Sequence, residues 1–145
     1  MPGKDTPHPT PGEPGKAGPR GRRRAEPAWF GTLSQRDFDI DFFERVLDRR
    51  PDSVEALRVL AQLVSDKKAW KRAVELDARL VRLLPEDFLA RYNLACSLAR
   101  VGRHEEAIDA LARAILLGYD DLAHMEADPD LASLRDHPDF LALFH

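Results

Sequence analysis

The sequence predicts an all-α fold, and three observations carry that reading. Apolar residues recur at spacings of three and four from Phe38 to Ile115, the period of helices buried along one side. No alternating run of β-branched residues competes with it. The chain also matches itself at an offset of 34 residues. Pro51 and Pro85 stand that far apart, and the offset lays Val54 on Phe88, Ala56 on Ala90, Leu60 on Leu94 and Ala61 on Ala95. It also lays Val64 on Leu98, Ala73 on Ala107, Val74 on Ile108 and Val81 on Ile115. A repeat of this length is one supersecondary unit that stacks on its neighbours.

The helical pattern does not reach the start of the chain. Residues 1–28 hold seven of the eleven prolines and five of the eight glycines. With almost no apolar side chains, this tail cannot bury enough surface to offset the entropy of ordering, so it is expected to be disordered. It carries a net charge of +3, and residues 29–145 carry −6. The cluster Arg20, Arg22, Arg23 and Arg24 offers at most a weak, salt-sensitive contact to nucleic acid, and a solubilising role is preferred. Trp29 and Phe30 stand at the junction. They either pack on the first helix or anchor a partner, and packing is preferred because large aromatics are usually buried.

The first helix is expected over 34–49, with Phe38, Phe42 and Val46 as one stripe and Phe43 and Leu47 beside it. Ser34 with Asp37 is a weak capping pair. Asp37, Asp39 and Asp41 come early and Arg45, Arg49 and Arg50 late, an order that suits the helix dipole. Asp52 with Glu55 reads as a capping box for the next helix, whose stripe is Leu57, Leu60 and Val64. Asp52, Glu86 and Asp120 share the same place in the repeat, each at a helix start. Val74, Leu80 and Leu83, then Leu94 and Leu98, then Ile108, Leu111 and Ile115 continue the series, and Gly118 ends it as a C-terminal cap. Leu122, Met125, Leu131, Leu134, Phe140, Leu141, Leu143 and Phe144 are expected to build short helices over the last open side. Asp128-Pro129 and His137-Pro138 read as helix starts with Pro in the first turn.

A helix–turn–helix unit of 34 residues, with small residues at Ala61/Ala95 and Ala73/Ala107, resembles the tetratricopeptide repeat. The stretch from Tyr92 to Ile115, with Gly102 at its turn and Ala107 and Ala114, is the stronger copy. In the first copy Lys68 replaces the turn glycine and Asp77 a large apolar residue. Leu57 and Arg91 stand where the family often has Trp. The resemblance implies a short α-solenoid of antiparallel helix pairs. It would comprise a half repeat at 34–51, repeats at 54–87 and 88–121, and capping helices at 121–145, all within a domain of 29–145.

Composition and motifs exclude several classes of function. One cysteine rules out a disulfide scaffold and a four-cysteine metal site. No apolar run is long enough to span a bilayer, and no secretory h-region or usual twin-arginine signal is present. A cytoplasmic protein is therefore expected. The five histidines form no zinc-helix pattern. Asp37, Asp39 and Asp41 mimic the start of a calcium loop, but Phe42 stands where its glycine is needed. Cys96 has no base placed by a motif, so a buried inert thiol is expected. Trp70 is expected in the core. No metal, cofactor or catalytic residue is predicted.

The resemblance places the first helix of each unit along an inner groove. There the offset aligns Glu55 with Leu89, Arg58 with Tyr92 and Gln62 with Cys96, with Asn93 beside them. Arg, Gln, Asn and Tyr side chains can hydrogen-bond an extended peptide. The expected function is a non-enzymatic interaction module or adaptor that binds a protein or peptide segment in this groove. The alternative is a structural or regulatory subunit that oligomerises, or docks on a larger complex, through its outer faces.

Overall fold

A computed structural model describes the chain from residue 30 to 145, with side chains from Gln35 onward. The expectations for the tail, its arginines, Trp29 and the side chain of Phe30 fall outside the described residues. Within them the protein is all-helical. The helices are α1 (Phe30–Arg49), α2 (Val54–Asp66), α3 (Trp70–Leu83), α4 (Phe88–Arg100), α5 (His104–Leu116), α6 (Leu122–Ala127) and α7 (Pro138–Leu141). Two short 3₁₀ helices, η1 (Pro129–Leu134) and η2 (Ala142–Phe144), lie among them near the C-terminus.

Helices α1 to α5 each pack against the next in sequence, and η1 lies against α4. One apolar cluster joins Leu47 of α1 to Leu57, Leu60 and Val64 of α2 and to Leu76 and Leu80 of α3. The second joins Val74 of α3 to Tyr92, Leu98, Ile108 and Leu111, and to Met125, Leu131, Leu134 and Phe140 beyond them. Helix α3 therefore contributes to both. Ala61, Ala73, Ala95 and Ala107, the small residues that the 34-residue offset pairs, are completely buried. Small side chains at these places let helix backbones come within the roughly 8–10 Å of close packing.

The ends of α2, α4 and α5 share one device. The N–H of Lys68 donates to the Ser65 carbonyl and that of Ala69 to Val64. Gly102 and Arg103 do the same to Ala99 and Leu98, and Gly118 and Tyr119 to Ile115 and Ala114. These paired bonds close each helix through a residue in the left-handed region, with φ of 60° at Lys68, 82° at Gly102 and 118° at Gly118. The C-terminal cap expected at Gly118 is thus one of three.

At the three helix starts related by the 34-residue offset the cap lies one residue later than the sequence reading, whereas Asp128-Pro129 and His137-Pro138 open helices where expected. The side-chain acceptors are Ser53, Asp87 and Asp121, not Asp52, Glu86 and Asp120. Ser53 accepts from the Ala56 N–H at 3.2 Å, Asp87 from Leu89 and Ala90 at 2.9 and 3.0 Å, and Asp121 from His124 at 3.0 Å. A cap must precede the first helical residue, and the tight turns after Pro51 and Pro85 occupy the residue before it. Helix α1 also starts earlier than Ser34, because nothing between Phe30 and Arg49 breaks it and a lone glycine is tolerated inside a helix. Asp37, Asp39 and Asp41 consequently lie outside its first turn, beyond the reach of the dipole. Trp70 is half-buried and not core; the Arg100 guanidinium lies over its ring, 5.0 Å from the centroid. Leu141 likewise stays largely exposed, while Phe140 beside it is buried.

Two substitutions isolate the turn geometry. Lys68→Gly removes the cost of a side chain in the left-handed region and should stabilise the fold by about 0.5 kcal/mol, net of glycine's extra unfolded-state entropy. At Gly102 an added Cβ would meet nothing within 4 Å. Gly102→Ala should therefore destabilise by about 1 kcal/mol through backbone conformation alone. Urea unfolding midpoints read both signs.

Candidate functional site

Helix α4 sits at the centre of the polar chemistry. Its Tyr92 ring is fully buried and stacks on Tyr119, with centroids 4.6 Å apart and planes 12° apart. Tyr119 is delivered there by the turn at Gly118, and Phe88 meets it edge-on at 6.1 Å. The Tyr92 hydroxyl donates to Asp128 Oδ2 at 2.6 Å. His124 Nε2 lies 3.3 Å from that same oxygen, and Cys96 Sγ 3.9 Å from it. The other carboxylate oxygen, Oδ1, accepts the Asp130 N–H at 2.9 Å and so opens η1. One buried carboxylate thus caps a C-terminal helix and ties it to α4.

Desolvation raises the Tyr92 hydroxyl far above the ordinary phenol range, with the charges of Cys96 and Asp128 adding to it. Burial also pushes Tyr119 up to about 12. A second buried pair lies on the other side of α4, where the Ser97 hydroxyl donates to Asp77 Oδ2 at 2.7 Å. The sequence marks this pair only by an oddity, a carboxylate in a slot that otherwise takes a large apolar residue. The Ser65 hydroxyl is buried with no hydrogen-bond partner among the described residues. It lines a cavity of about 70 Å³ together with Gln62, Asp66, Trp70, Cys96, Ser97 and Asp130.

The seven residues predicted to line a groove do not form one open surface. Glu55 is exposed at the edge of α2. Arg58 is half-exposed and holds Asp87 Oδ2 at 3.0 Å. Gln62 donates to Asp66 Oδ1 at 2.8 Å, and Leu89 is partly buried. These four remain within reach of a partner. Tyr92, Asn93 and Cys96 are buried, which corrects the expectation that they face a ligand. For Tyr92 the reason is that Tyr119, His124 and Asp128 of the C-terminal segment lie against it. Asp128, Asp77 and Ser65 are absent from the predicted site. By sequence Asp128 reads only as a helix-start acid, and its link to Tyr92 spans 36 residues.

The sulfur of Cys96 and one carboxylate oxygen each of Asp128 and Asp130 lie within 4.8 Å of one another, a donor set that a cation could use. Protein donors already meet both carboxylates: Tyr92 meets Asp128, and Arg100 meets Asp130 at 2.8 Å. The trio therefore works as a structural junction. No helix among the described residues is long and apolar enough to cross a membrane.

No protein-family model matches the chain. Over 55 residues it is 36% identical to a chloroplastic protein of Arabidopsis thaliana. The matched stretch is 38% of this chain and 16% of that protein, so the chain spans well under two thirds of that relative.

Tyr92→Phe should destabilise the fold by about 1–3 kcal/mol, because the buried Asp128 carboxylate loses a donor. Asp128→Ala also removes the cap of η1 and should cost about 2–4 kcal/mol. Alkaline titration gives an independent check. A phenol raised in the folded state contributes stability that is complete below its unfolded value, 10.0, and is lost as pH rises beyond it. Tyrosinate absorbance should therefore appear together with loss of helical signal above about pH 10, in one transition.

Proposed function

We propose that the chain is a short solenoid of the tetratricopeptide type, without catalytic activity, that holds an extended segment of a protein partner along the edge of α2 and the start of α4. The observation that carries this reading is the recurrence of local devices at 34 residues. Caps recur at Ser53, Asp87 and Asp121, left-handed turns at Lys68 and Gly102, and buried alanines at Ala61/Ala95 and Ala73/Ala107. Repetition of caps, turns and close contacts together favours stacked helix pairs, which present long surfaces to partners. A cytoplasmic setting, with which the single thiol is compatible, belongs to the same proposal.

Within the proposed groove the working surface is Glu55, Arg58, Gln62 and Leu89, with the notch at Ser65, Trp70 and Asp130 at its far end. Arg58 is already oriented by Asp87, so it offers fixed donors at low entropic cost to a backbone carbonyl or carboxylate. Tyr92, Asn93 and Cys96 serve the floor and not the surface. This division gives the reading a sharp test. Peptides selected from a random display library on the wild-type protein should bind the triple variant Arg58→Ala/Gln62→Ala/Leu89→Ala at least tenfold more weakly. Equal binding to both proteins, with the variant's helical content intact, overturns the groove assignment.

A further inference from the structure

We propose that the cavity beside Ser65 receives the ammonium group of a lysine side chain carried by the partner segment. This assignment rests on the groove proposed above, because the cavity lies at its far end. Ser65 supplies the starting observation. It is 8% exposed, and its hydroxyl lines the cavity with no hydrogen-bond partner among the described residues. A buried hydroxyl left unmet costs free energy, so a polar guest is stabilised there. Among the described residues the lining includes two carboxylates, Asp66 and Asp130, and no lysine, arginine or histidine. Asp66 is also the last residue of α2, and the last turn of that helix holds no basic side chain. The negative end of a helix dipole favours a cation at such a place. Lys67, the next residue, reaches away to Asp37 of α1. Water can satisfy the hydroxyl, whereas a cation with N–H donors satisfies it and gains from the carboxylates and the helix end as well.

The arrangement of acceptors selects an ammonium. Asp130 gives Oδ1 to both Nε and Nη2 of Arg100, at 2.9 and 2.8 Å, and Asp66 gives Oδ1 to the Gln62 amide at 2.8 Å. Neither carboxylate therefore offers the paired oxygens that a guanidinium grips. An ammonium needs only single oxygens, and a carboxylate oxygen accepts more than one bond. Its three donors match Ser65, Asp66 and Asp130. Size agrees. The cavity measures about 70 Å³, and a water-sized group needs roughly 10–15 Å³ of such space, which leaves room for the last methylenes. The half-buried Trp70 ring gives them an apolar wall. A bare metal ion is disfavoured, because Tyr92 and Arg100 already hold Asp128 and Asp130 beside the Cys96 sulfur.

Peptides selected from a random display library on the wild-type protein, and weakened by Arg58→Ala/Leu89→Ala, supply the test. The expected result is a lysine at one recurring position. Replacing it by norleucine, which keeps the stem and removes the charge, should weaken binding about tenfold or more, and arginine should not restore it. In the protein, Asp66→Asn keeps the shape and an oxygen for Gln62. It should weaken the lysine peptide by a similar factor and leave the norleucine peptide unchanged. Ser65→Ala should weaken the lysine peptide about threefold. The free Ser65→Ala protein should be as stable as wild type or more so in urea, since an unmet buried hydroxyl is gone. Gln62 belongs to both groove and cavity, so neither arm changes it. Peptides that bind Arg58→Ala/Leu89→Ala as tightly as wild type overturn the groove and this pocket together. Groove-dependent peptides without a recurring lysine, or Asp66→Asn losses that are equal for the lysine and norleucine peptides, overturn the pocket and leave the groove standing. So does zinc chloride alone that binds at micromolar concentration and loses that affinity in Cys96→Ser.

Discussion

None of the helices α1 to α5 can bury its apolar stripe alone, so each depends on the next to cover it. That requirement explains why α3 contributes Leu76 and Leu80 to one cluster and Val74 to the other. It also explains why the series cannot simply stop at Leu116. The open side of α4 and α5 must be closed by something that adds no further open side. The C-terminal segment does this with short helices. Met125, Leu131, Leu134 and Phe140 all reach the core. The Asp128 carboxylate then fixes the closure by accepting from Tyr92 and from the backbone of η1.

A buried carboxylate is costly unless its oxygens are met, and Asp128 is only 2% exposed. The groups around it come from three places: the Tyr92 hydroxyl on α4 and the Asp130 N–H of η1 donate to it, and the His124 imidazole on α6 lies 3.3 Å away. Each belongs to an element that must be in position before the others can bond. The arrangement therefore couples the end of the chain to α4 more strictly than apolar packing does, since packing tolerates small shifts and hydrogen bonds do not. The Ser97–Asp77 bond acts in the same way between α4 and α3. Helix α4 is thus held by polar contacts on two sides, and this leaves Tyr92 without access to a ligand.

The structure leaves two exposed surfaces of different character. The edge of α2 with the start of α4 is polar and partly self-paired, as Arg58 on Asp87 and Gln62 on Asp66 show. The outer side of α1 carries two exposed phenylalanines, Phe38 and Phe42, among charges of both signs. The first suits hydrogen bonding to an extended chain.

Local periodicity determined much of this protein. The 3.6-residue spacing marks α1 to α5, and the 34-residue offset finds the paired alanines, Gly102 and the helix starts to within one residue. These features are legible because short-range geometry dictates them: a helix needs its apolar stripe, and a turn in the left-handed region favours glycine. Lys68 is the instructive departure, since the hydrogen bonds of the turn hold a lysine where its own preference would not put it. Only the tertiary structure decided which groove residues are reachable. Tyr92 at a groove position and Asp128 before a proline are each unremarkable in the sequence, and their bond spans 36 residues. Residues far apart in the chain meet only after the helices stack, and no local pattern encodes which polar group will be buried beneath which segment.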